Sequence, residues 1–272
     1  MSGSKVSAVM CTYRRAKCVQ RAINCFINQT YKGPSELIVF NTDEEYPYEL
    51  CEELKVYDIT IVNCNIDYET GKPYTNVGAI RRDALTHATG DYYICWDDDD
   101  IFLPWFIEQG MDFIKDTESF SFKPEQSFFF SGDNLRLVMN TMEASIISCI
   151  KKVREYGFLL ETGSEGLGWY TKMRDKGELN EHHKQYVPSY CFNWNDGEEM
   201  NAGHKQSGDI NNPNNFENHK LRSLDMAKEP VQAYTSDEFD STYKPYFEFI
   251  SEHKKDFPSS LYDKYVVPLL KG

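Results

Sequence analysis

The chain has 272 residues, of which 40% are hydrophobic and 26% are charged, and its formal net charge is −14. This length is enough for one large core or two smaller ones, and no run of 18 apolar residues occurs that could form a transmembrane helix. So acidic a balance disfavours nonspecific binding to nucleic acid and to anionic membranes, which argues against protein classes that depend on such binding.

The first 62 residues predict alternating strands and helices. Residues 6–11 and 36–40 are short, continuous apolar runs that are typical of buried parallel strands. Between them, apolar residues recur at helical spacing over residues 16–30. A short helix is predicted over residues 48–55, and a third strand over residues 59–62. This order predicts right-handed βαβ units in a parallel sheet.

The next segment leads to a run of acidic residues. After a polar loop, a helix is predicted from Asn76 to residue 88, with Gly90 as its C-terminal stop. Residues 92–96 form an aromatic and β-branched strand that continues directly into four aspartates, residues 97–100. The carboxylates are therefore expected at the carboxyl end of a core strand, where open α/β sheets bind their ligands. Another helix is predicted over residues 104–115.

The acidic run predicts a cation site. Adjacent carboxylates raise one another's pKa values unless a cation is present, and hard oxygen ligands select Mg²⁺, Mn²⁺ or Ca²⁺. A solvated surface or a helix cap is the alternative, but Trp96 and Ile101 enclose the run with apolar side chains. An EF-hand is excluded because Phe102 occupies the position that requires glycine. No glycine-rich phosphate loop occurs, so a phosphate ligand would need a metal.

After residue 116 the regular alternation stops. Short aromatic strands are predicted over residues 120–122 and 128–130, and a strand over residues 186–194. Extended segments are also expected over residues 135–139 and 145–150. Helices are expected over residues 151–156, ending at Gly157, through Arg174, ending at Gly177, and in the last 50 residues. A polar loop is expected over residues 195–218. Trp169 and Trp194 are expected to pack in the core rather than to stack on a ligand.

The eight cysteines have no CxxC spacing and lie mostly in apolar segments. They are typical of reduced core thiols rather than of a disulfide framework or a zinc site. The N-terminus has no signal-peptide core. The expected location is therefore the cytoplasm, or the host cytoplasm if a phage encodes the chain.

Four motifs over residues 5–105 resemble, in the correct order, those of the family 2 glycosyltransferases. The family's T-Y-N-R resembles Thr12-Tyr13-Arg14-Arg15 of this chain, and its Q-T-Y … E-[LI]-I-V resembles Gln29-Thr30-Tyr31 with Glu36-Leu37-Ile38-Val39. Its N-x-G-x-x-x-R-N resembles Asn76-x-Gly78 with Arg81-Arg82. Its G-[DE]-Y-I … D-x-D-D, the DXD motif, resembles Gly90-Asp91-Tyr92-Tyr93-Ile94 followed by Asp97-Asp98-Asp99-Asp100. The resemblance implies an α/β fold of GT-A type: a Rossmann-like mixed or parallel sheet flanked by helices, an acceptor subdomain and a helical C-terminal tail.

The resemblance also implies transfer of a sugar from a nucleotide diphosphate, first of all a UDP-sugar, with Mn²⁺ or Mg²⁺ and with inversion. The residues that it assigns to the nucleotide sugar are Thr12, Tyr13, Arg14, Asn41, Asp43, Asn76, Arg81, Asp97 and Asp98. The residues that it assigns to the metal are Asp99, Asp97 and, from the polar loop, His204. Asp97 is expected to contact the ribose, and Asp99 to hold the ion that bridges the diphosphate.

An inverting transfer requires a carboxylate base, which the family takes from an E-D pair at a helix start. Glu165 is the candidate base and Glu161 the alternative, while Gly166 stands where the family has aspartate. The predicted division is a nucleotide-sugar half over residues 1–116, an acceptor half over 117–200, and a loop with a helical extension over 201–272.

The sequence leaves two acceptor classes and two alternative functions open. The acceptor is a saccharide or small molecule or, second, a modified DNA base, for which a local track is available from Arg14, Arg15, Lys151, Lys152 and Arg154. A nucleotidyltransferase of related fold would release pyrophosphate from a nucleoside triphosphate. A metal-dependent carbohydrate-binding module would bind sugar without regard to nucleotide.

Overall fold

The computed structural model describes residues 3–131, 134–180, 186–193 and 229–270. Ten strands occur among these residues: β1 (Val6–Thr12), β2 (Ser35–Asn41), β3 (Ile59–Asn63), β4 (Tyr92–Cys95), β5 (Ile101–Phe102), β6 (Ser121–Phe122), β7 (Gln126–Ser131), β8 (Asn134–Met139), β9 (Ile147–Cys149) and β10 (Tyr190–Asn193). The helices of the same residues are α1 (Ala16–Ile27), α2 (Val77–Thr86), α3 (Phe106–Thr117), α4 (Ile150–Tyr156), α5 (Leu167–Asp175), α6 (Ser236–Glu252), α7 (Ser259–Tyr265) and α8 (Val267–Leu270).

The larger sheet has six strands in the order β3-β2-β1-β4-β9-β6. β1 runs parallel to both β2 and β4, and β2 runs parallel to β3, as the strand–helix–strand pattern predicts. β9 is antiparallel to β4 and to β6, so the sheet is mixed. From β1 the chain first adds strands on one side of the sheet, β2 and β3, and then adds β4 on the other side of β1. Ligands of α/β sheets bind at such a reversal of strand order, so they are expected at the carboxyl ends of β1 and β4.

A second sheet of four strands, in the order β5-β10-β7-β8, was not predicted from the sequence. β10 pairs antiparallel with β5 and parallel with β7. The C-terminal helix α6 covers this sheet, because the ring of Tyr246 packs 5.4 Å from that of Phe128. α6 also contacts the residue that precedes α3, where the rings of Trp105 and Phe247 lie 5.9 Å apart. The predicted helical extension therefore contributes to the core.

The predicted elements of the first 117 residues are confirmed with small shifts at their ends. The helix predicted over residues 48–55 is only a short 3-10 helix, Glu52–Val56, and the helix predicted from residue 104 begins at Phe106. Gly90 is not the stop of α2, which ends at Thr86. A Cβ at Gly90 would lie 2.6 Å from Ser7 Oγ and 2.8 Å from the Lys5 carbonyl oxygen. Glycine is needed there because β1 passes so close.

Beyond residue 117 the structure differs more from the predictions. Residues 143–145 form a 3-10 helix and α4 begins at Ile150, so only three residues of the segment 145–150 are a strand. β6 and β9 complete the larger sheet, which therefore extends across the division predicted at residue 116. Trp169 is buried as predicted. Trp194 and the polar loop over residues 195–218 lie outside the described residues. No described helix is both long and apolar enough to cross a membrane.

Candidate active site

The site begins where β1 and β4 end side by side. Val9 of β1 lies opposite Cys95 of β4 in parallel register, so the residues that follow the two strands emerge at one edge of the sheet. Trp96 anchors the segment after β4, because it stacks on Phe102 at 3.8 Å and its indole nitrogen donates to the Ala22 carbonyl at 3.0 Å. The aspartate run is therefore fixed by apolar packing at both of its ends.

The guanidinium of Arg15 holds the centre of the acidic run. Its Nη1 lies 2.6 Å from Asp98 Oδ1 and its Nη2 lies 2.9 Å from Asp99 Oδ2. Thr12 Oγ1 donates a third bond, 2.7 Å, to Asp98 Oδ2. Burial raises the pKa of Asp98 to about 6, although Arg15 opposes the rise. The sequence placed Arg15 in a motif and in a possible DNA track but did not connect it with the acidic run, because that contact depends on the pairing of β1 with β4.

Asp100 ties the acidic run to the second sheet. It is buried, accepts a hydrogen bond from the Tyr190 hydroxyl, and accepts a second from the Asn193 backbone N–H at 3.2 Å. Burial, with the nearby charges of Asp99 and Asp97, raises its pKa well above the usual range. The Asn193 side-chain amide also donates to the Asp99 carbonyl at 3.0 Å. Asp100 is thus a structural acid, and its neighbours are presented at the sheet edge.

Arg81 is a buried arginine that joins the acidic run to the segment before α5. Its Nη2 lies 2.9 Å from Asp97 Oδ1, its Nε lies 2.8 Å from Glu165 Oε1, and its Nη1 contacts Cys95 Sγ. The Gly163 N–H donates to the other Glu165 oxygen at 2.8 Å. Burial alone would raise the pKa of Glu165, but the charge of Arg81 and the backbone donors outweigh it and lower that pKa. Burial raises the pKa of Asp97.

The N-x-G motif explains how α2 brings Arg81 to this place. Asn76 caps the helix, since its Oδ1 accepts from the Ala79 N–H at 2.8 Å. Gly78 lies directly against the following loop, where a Cβ would be only 1.8 Å from the Leu159 carbonyl oxygen. The Gly78 N–H donates to the Glu161 carbonyl at 2.9 Å. The motif therefore docks the start of α2 on the segment that carries Glu165.

A second group of predicted residues lies where β1 and β2 end. Arg14 has a left-handed backbone with φ of 50°, contacts Asp43, and stands over the ring of Tyr13 at 5.1 Å. Asn41 is fully buried, and its amide donates to the Asp43 carbonyl at 2.9 Å and to Asn63 Oδ1 at 2.9 Å. Asn41 therefore shapes the turn after β2, and the buried Asp43 of that turn forms an ion pair with Arg14.

Some predicted residues are not brought into this cluster. The side chain of Glu161 is exposed, and the backbone carbonyl is the part of the residue that contacts α2. Arg82 faces away from the acidic run and binds Asp67 at 2.8 Å and Asp83 at 2.7 Å. His204 lies outside the described residues.

Glu143 is a member of the cluster that the sequence prediction missed. It belongs to the 3-10 helix before β9, and its carboxyl group reaches Gly166, the residue after Glu165. Burial raises its pKa to about 7, with Arg81 opposing and Glu165 and Asp97 adding to the rise. The sequence contained only an indirect indication of Glu143: Gly166 stands at the position where the resemblance implies aspartate.

The carboxylates fit a metal ion that is shared with a substrate. In the described part of the chain, no group of three or more His, Cys, Asp or Glu side chains is arranged to hold a metal. Asp97 and Asp99 are the accessible members of the run, with 30% and 14% of their side chains exposed. Magnesium sites commonly use one or two carboxylates together with substrate phosphates and water. Asp97 and Asp99 meet that requirement.

Residues 7–136 match the family model described as glycosyl transferase family 2. No curated protein is significantly similar to the chain.

The crystal structure of S. aureus TarS 1–349 in complex with UDP-GlcNAc is similar at 14% identity and a TM-score of 0.54, over 72% of this chain and 60% of that one. The complex with UDP gives the same identity and TM-score over 70% and 60%. The mannosyltransferase PcManGT from Pyrobaculum calidifontis, in complex with GDP-Man and Mn²⁺, has 14% identity and a TM-score of 0.46 over 67% and 55%. The chain thus spans 60% of the length of TarS 1–349 and has the GT-A fold.

Proposed function

We propose, from the premise that residues 7–136 carry a glycosyl transferase family 2 domain, that the chain moves a sugar from a nucleotide diphosphate to an acceptor hydroxyl. One observation carries the proposal: within the matched residues, Asp97 and Asp99 lie at the carboxyl edge between β1 and β4. Each of these carboxylates is held by a separate arginine, Arg81 and Arg15. This edge is where α/β sheets bind their ligands.

The proposed donor is a UDP-sugar. Support comes from the TarS structures of the same fold, whose complexes contain UDP and UDP-GlcNAc. The groups that line the edge suit a nucleotide: Asp97 can accept bonds from ribose hydroxyls, and Arg14 stands beside the rings of Tyr13 and Tyr46, at 5.1 and 5.0 Å. Asp43 lies under Arg14 and completes this side of the site.

Asp97 and Asp99 would hold the Mn²⁺ or Mg²⁺ ion of the reaction, together with the diphosphate. When bound there, such an ion neutralises charge on the departing diphosphate. The residues of the chain do the rest. Arg81 orients Asp97, Arg15 orients Asp98 and Asp99, and a carboxylate accepts the proton of the acceptor hydroxyl. The sequence assigns this last task to Glu165 or Glu161, in an inverting reaction.

A saccharide or small molecule is the preferred acceptor, ahead of a modified DNA base. The cations proposed for a DNA track are largely paired within the protein. Arg15 binds two carboxylates, Lys152 binds Glu178 at 2.7 Å, and Arg154 donates to the Ala88 carbonyl at 2.7 Å. With a net charge of −14, these pairs leave little positive potential to attract a polyanion.

Asp99→Ala tests the proposal. With Mn²⁺ and a panel of UDP-sugars, we expect UDP release to fall by about 100-fold or more, because the variant lacks one of the two carboxylates that would hold the ion, and the ion would neutralise the departing diphosphate. Excess EDTA should have the same effect on the wild type. The matched control is Asp175→Ala, whose carboxylate is 72% exposed on α5. Circular dichroism should show both variants folded.

The same assays separate the alternatives. Turnover by Asp99→Ala at the wild-type rate, or turnover unaffected by EDTA, would refute the metal role. Pyrophosphate release from a nucleoside triphosphate would identify a nucleotidyltransferase. Calorimetric binding of free sugar that ignores UDP would identify a carbohydrate-binding module.

A further inference from the structure

At Gly166 the carboxyl group of another residue occupies the space in which a side chain would begin. Its φ of −73° and ψ of −20° are ordinary right-handed helical values, so the backbone does not require glycine. A Cβ at this position would lie 1.7 Å from Glu143 Oε2 and 1.9 Å from Oε1. Position 166 is therefore glycine because the Glu143 carboxyl group fills the space of its side chain.

A carboxyl group therefore lies beside Glu165, at the start of α5. The resemblance places aspartate at position 166, directly after Glu165, at the start of α5. In this chain the carboxyl group comes instead from the 3-10 helix Glu143–Ser145, which precedes β9. Because that short helix is fixed by the antiparallel pairing of β9 with β4, the carboxyl group of Glu143 is held against the same strand end that carries Asp97.

Glu143 is the carboxylate of the cluster that Arg81 does not bind. The guanidinium donates to Asp97 through Nη2 and to Glu165 through Nε, and its remaining nitrogen contacts Cys95. Glu143 is half-buried, and no hydrogen bond to its carboxyl group occurs among the described residues. Neither of its oxygen atoms is both fully enclosed and unpaired, so the carboxyl group keeps some access to solvent, as a base that serves a bound acceptor requires.

The two glutamates differ in basicity for physical reasons. Arg81 and the Gly163 N–H stabilise the ionised form of Glu165 and lower its pKa in spite of burial, so Glu165 is a weak base. Burial raises the pKa of Glu143 to about 7. General-base catalysis is most effective when the pKa of the base lies near the working pH.

We propose that Glu143 is the catalytic base of the transfer, and this inference rests on the proposed function. Its carboxylate takes the proton of the acceptor hydroxyl while that oxygen bonds to the anomeric carbon. The bond from the same carbon to the diphosphate oxygen breaks, and its electron pair leaves with the nucleoside diphosphate. Glu165 then acts as a positioning residue, since it holds Arg81 and, through Arg81, Asp97.

The experiment moves the carboxylate from position 143 to position 166. UDP release from UDP-sugars is measured with the full-length chain and Mn²⁺, with water as acceptor. Glu143→Gln should lower kcat by about 100-fold or more and leave KM for the UDP-sugar nearly unchanged. The double variant Glu143→Ala with Gly166→Asp should exceed Glu143→Ala with Gly166→Ala by about tenfold or more, because only the aspartate restores a base. Glu248→Gln, 62% exposed on α6, is the neutral control.

Three outcomes are decisive. Turnover by Glu143→Gln within about threefold of the wild type would overturn the assignment of the base. Equal rates for the aspartate and alanine double variants would overturn it as well, and this second comparison holds even if Glu143→Gln folds poorly. Absence of UDP release by the wild type from every UDP-sugar would instead overturn the proposed function, and the base with it.

Discussion

Replacement of Arg81 by methionine should destabilise the protein strongly. The guanidinium is buried, and it pairs with Glu165, of which 8% is exposed, and with Asp97, of which 30% is exposed. Removing one partner of a buried ion pair costs about 3–5 kcal/mol, because it leaves the other charge uncompensated. The more exposed Asp97 pair adds about 1 kcal/mol at most. For a chain of this size the melting temperature should fall by roughly 10 °C.

The loss of stability in Arg81→Met should be larger at high pH than at low pH. In the wild type Arg81 lowers the pKa of Glu165 in the folded state, so this stabilisation is present above the unfolded pKa and is lost as pH falls through the folded value. In Arg81→Met the same carboxyl group stays buried without a cation, which disfavours its ionised form. The destabilisation should therefore be largest at pH 8 and smaller at pH 5, where the carboxyl groups can be protonated.

The measurement is urea unfolding followed by far-UV circular dichroism at pH 8 and pH 5. Arg174→Met is the matched control, because that arginine is 49% exposed and its ion pair with Asp175 is long, at 3.6 Å; it should change the free energy of unfolding by less than about 0.5 kcal/mol. Adding Glu165→Gln to Arg81→Met should recover about 1–3 kcal/mol, since the uncompensated charge is removed. A loss below about 1 kcal/mol at pH 8, or an equal loss at pH 5, would refute the reasoning.

Two further predictions concern buried acids. Tyr190→Phe removes a hydrogen bond to the buried Asp100 and should lower the free energy of unfolding in urea by about 1–3 kcal/mol. The control is Tyr57→Phe, on an exposed ring, which should not change that free energy measurably. Equal stabilities of the two variants would contradict the anchoring role of Asp100. In the folded state burial raises the pKa of Glu143 to about 7, with Glu165 and Asp97 adding to the rise and Arg81 opposing it. The free energy of unfolding should therefore fall as pH rises from the pKa of this glutamate in the unfolded chain to about 7. Glu143→Gln should therefore be more stable than the wild type by about 1–3 kcal/mol at pH 8 and no more stable at pH 4, and a gain that does not vary with pH would contradict this.

Local sequence patterns were sufficient for the parallel half of the larger sheet. Continuous apolar runs identify β1 and β2, helical spacing identifies α1, and Asn76 identifies the start of α2, because these signals act between residues close in the chain. The resemblance to family 2 is confirmed over residues 7–136. The second sheet was missed, because β5 has only two residues and pairs with β10 some 90 positions later. Such short strands carry no periodicity of their own.

The sequence by itself determined that carboxylates stand at the end of a central strand beside the end of β1. It could not determine which carboxylate pairs with which cation, since Arg81, Asp97, Glu165 and Glu143 come from four separate segments. Only the tertiary structure decided that Asp100 is a structural acid, that Arg81 is buried, and that Glu143 fills the space beside Gly166. The physical reason is that ionisation and hydrogen bonding in a buried cluster depend on distances and dielectric, which arise when the segments pack together.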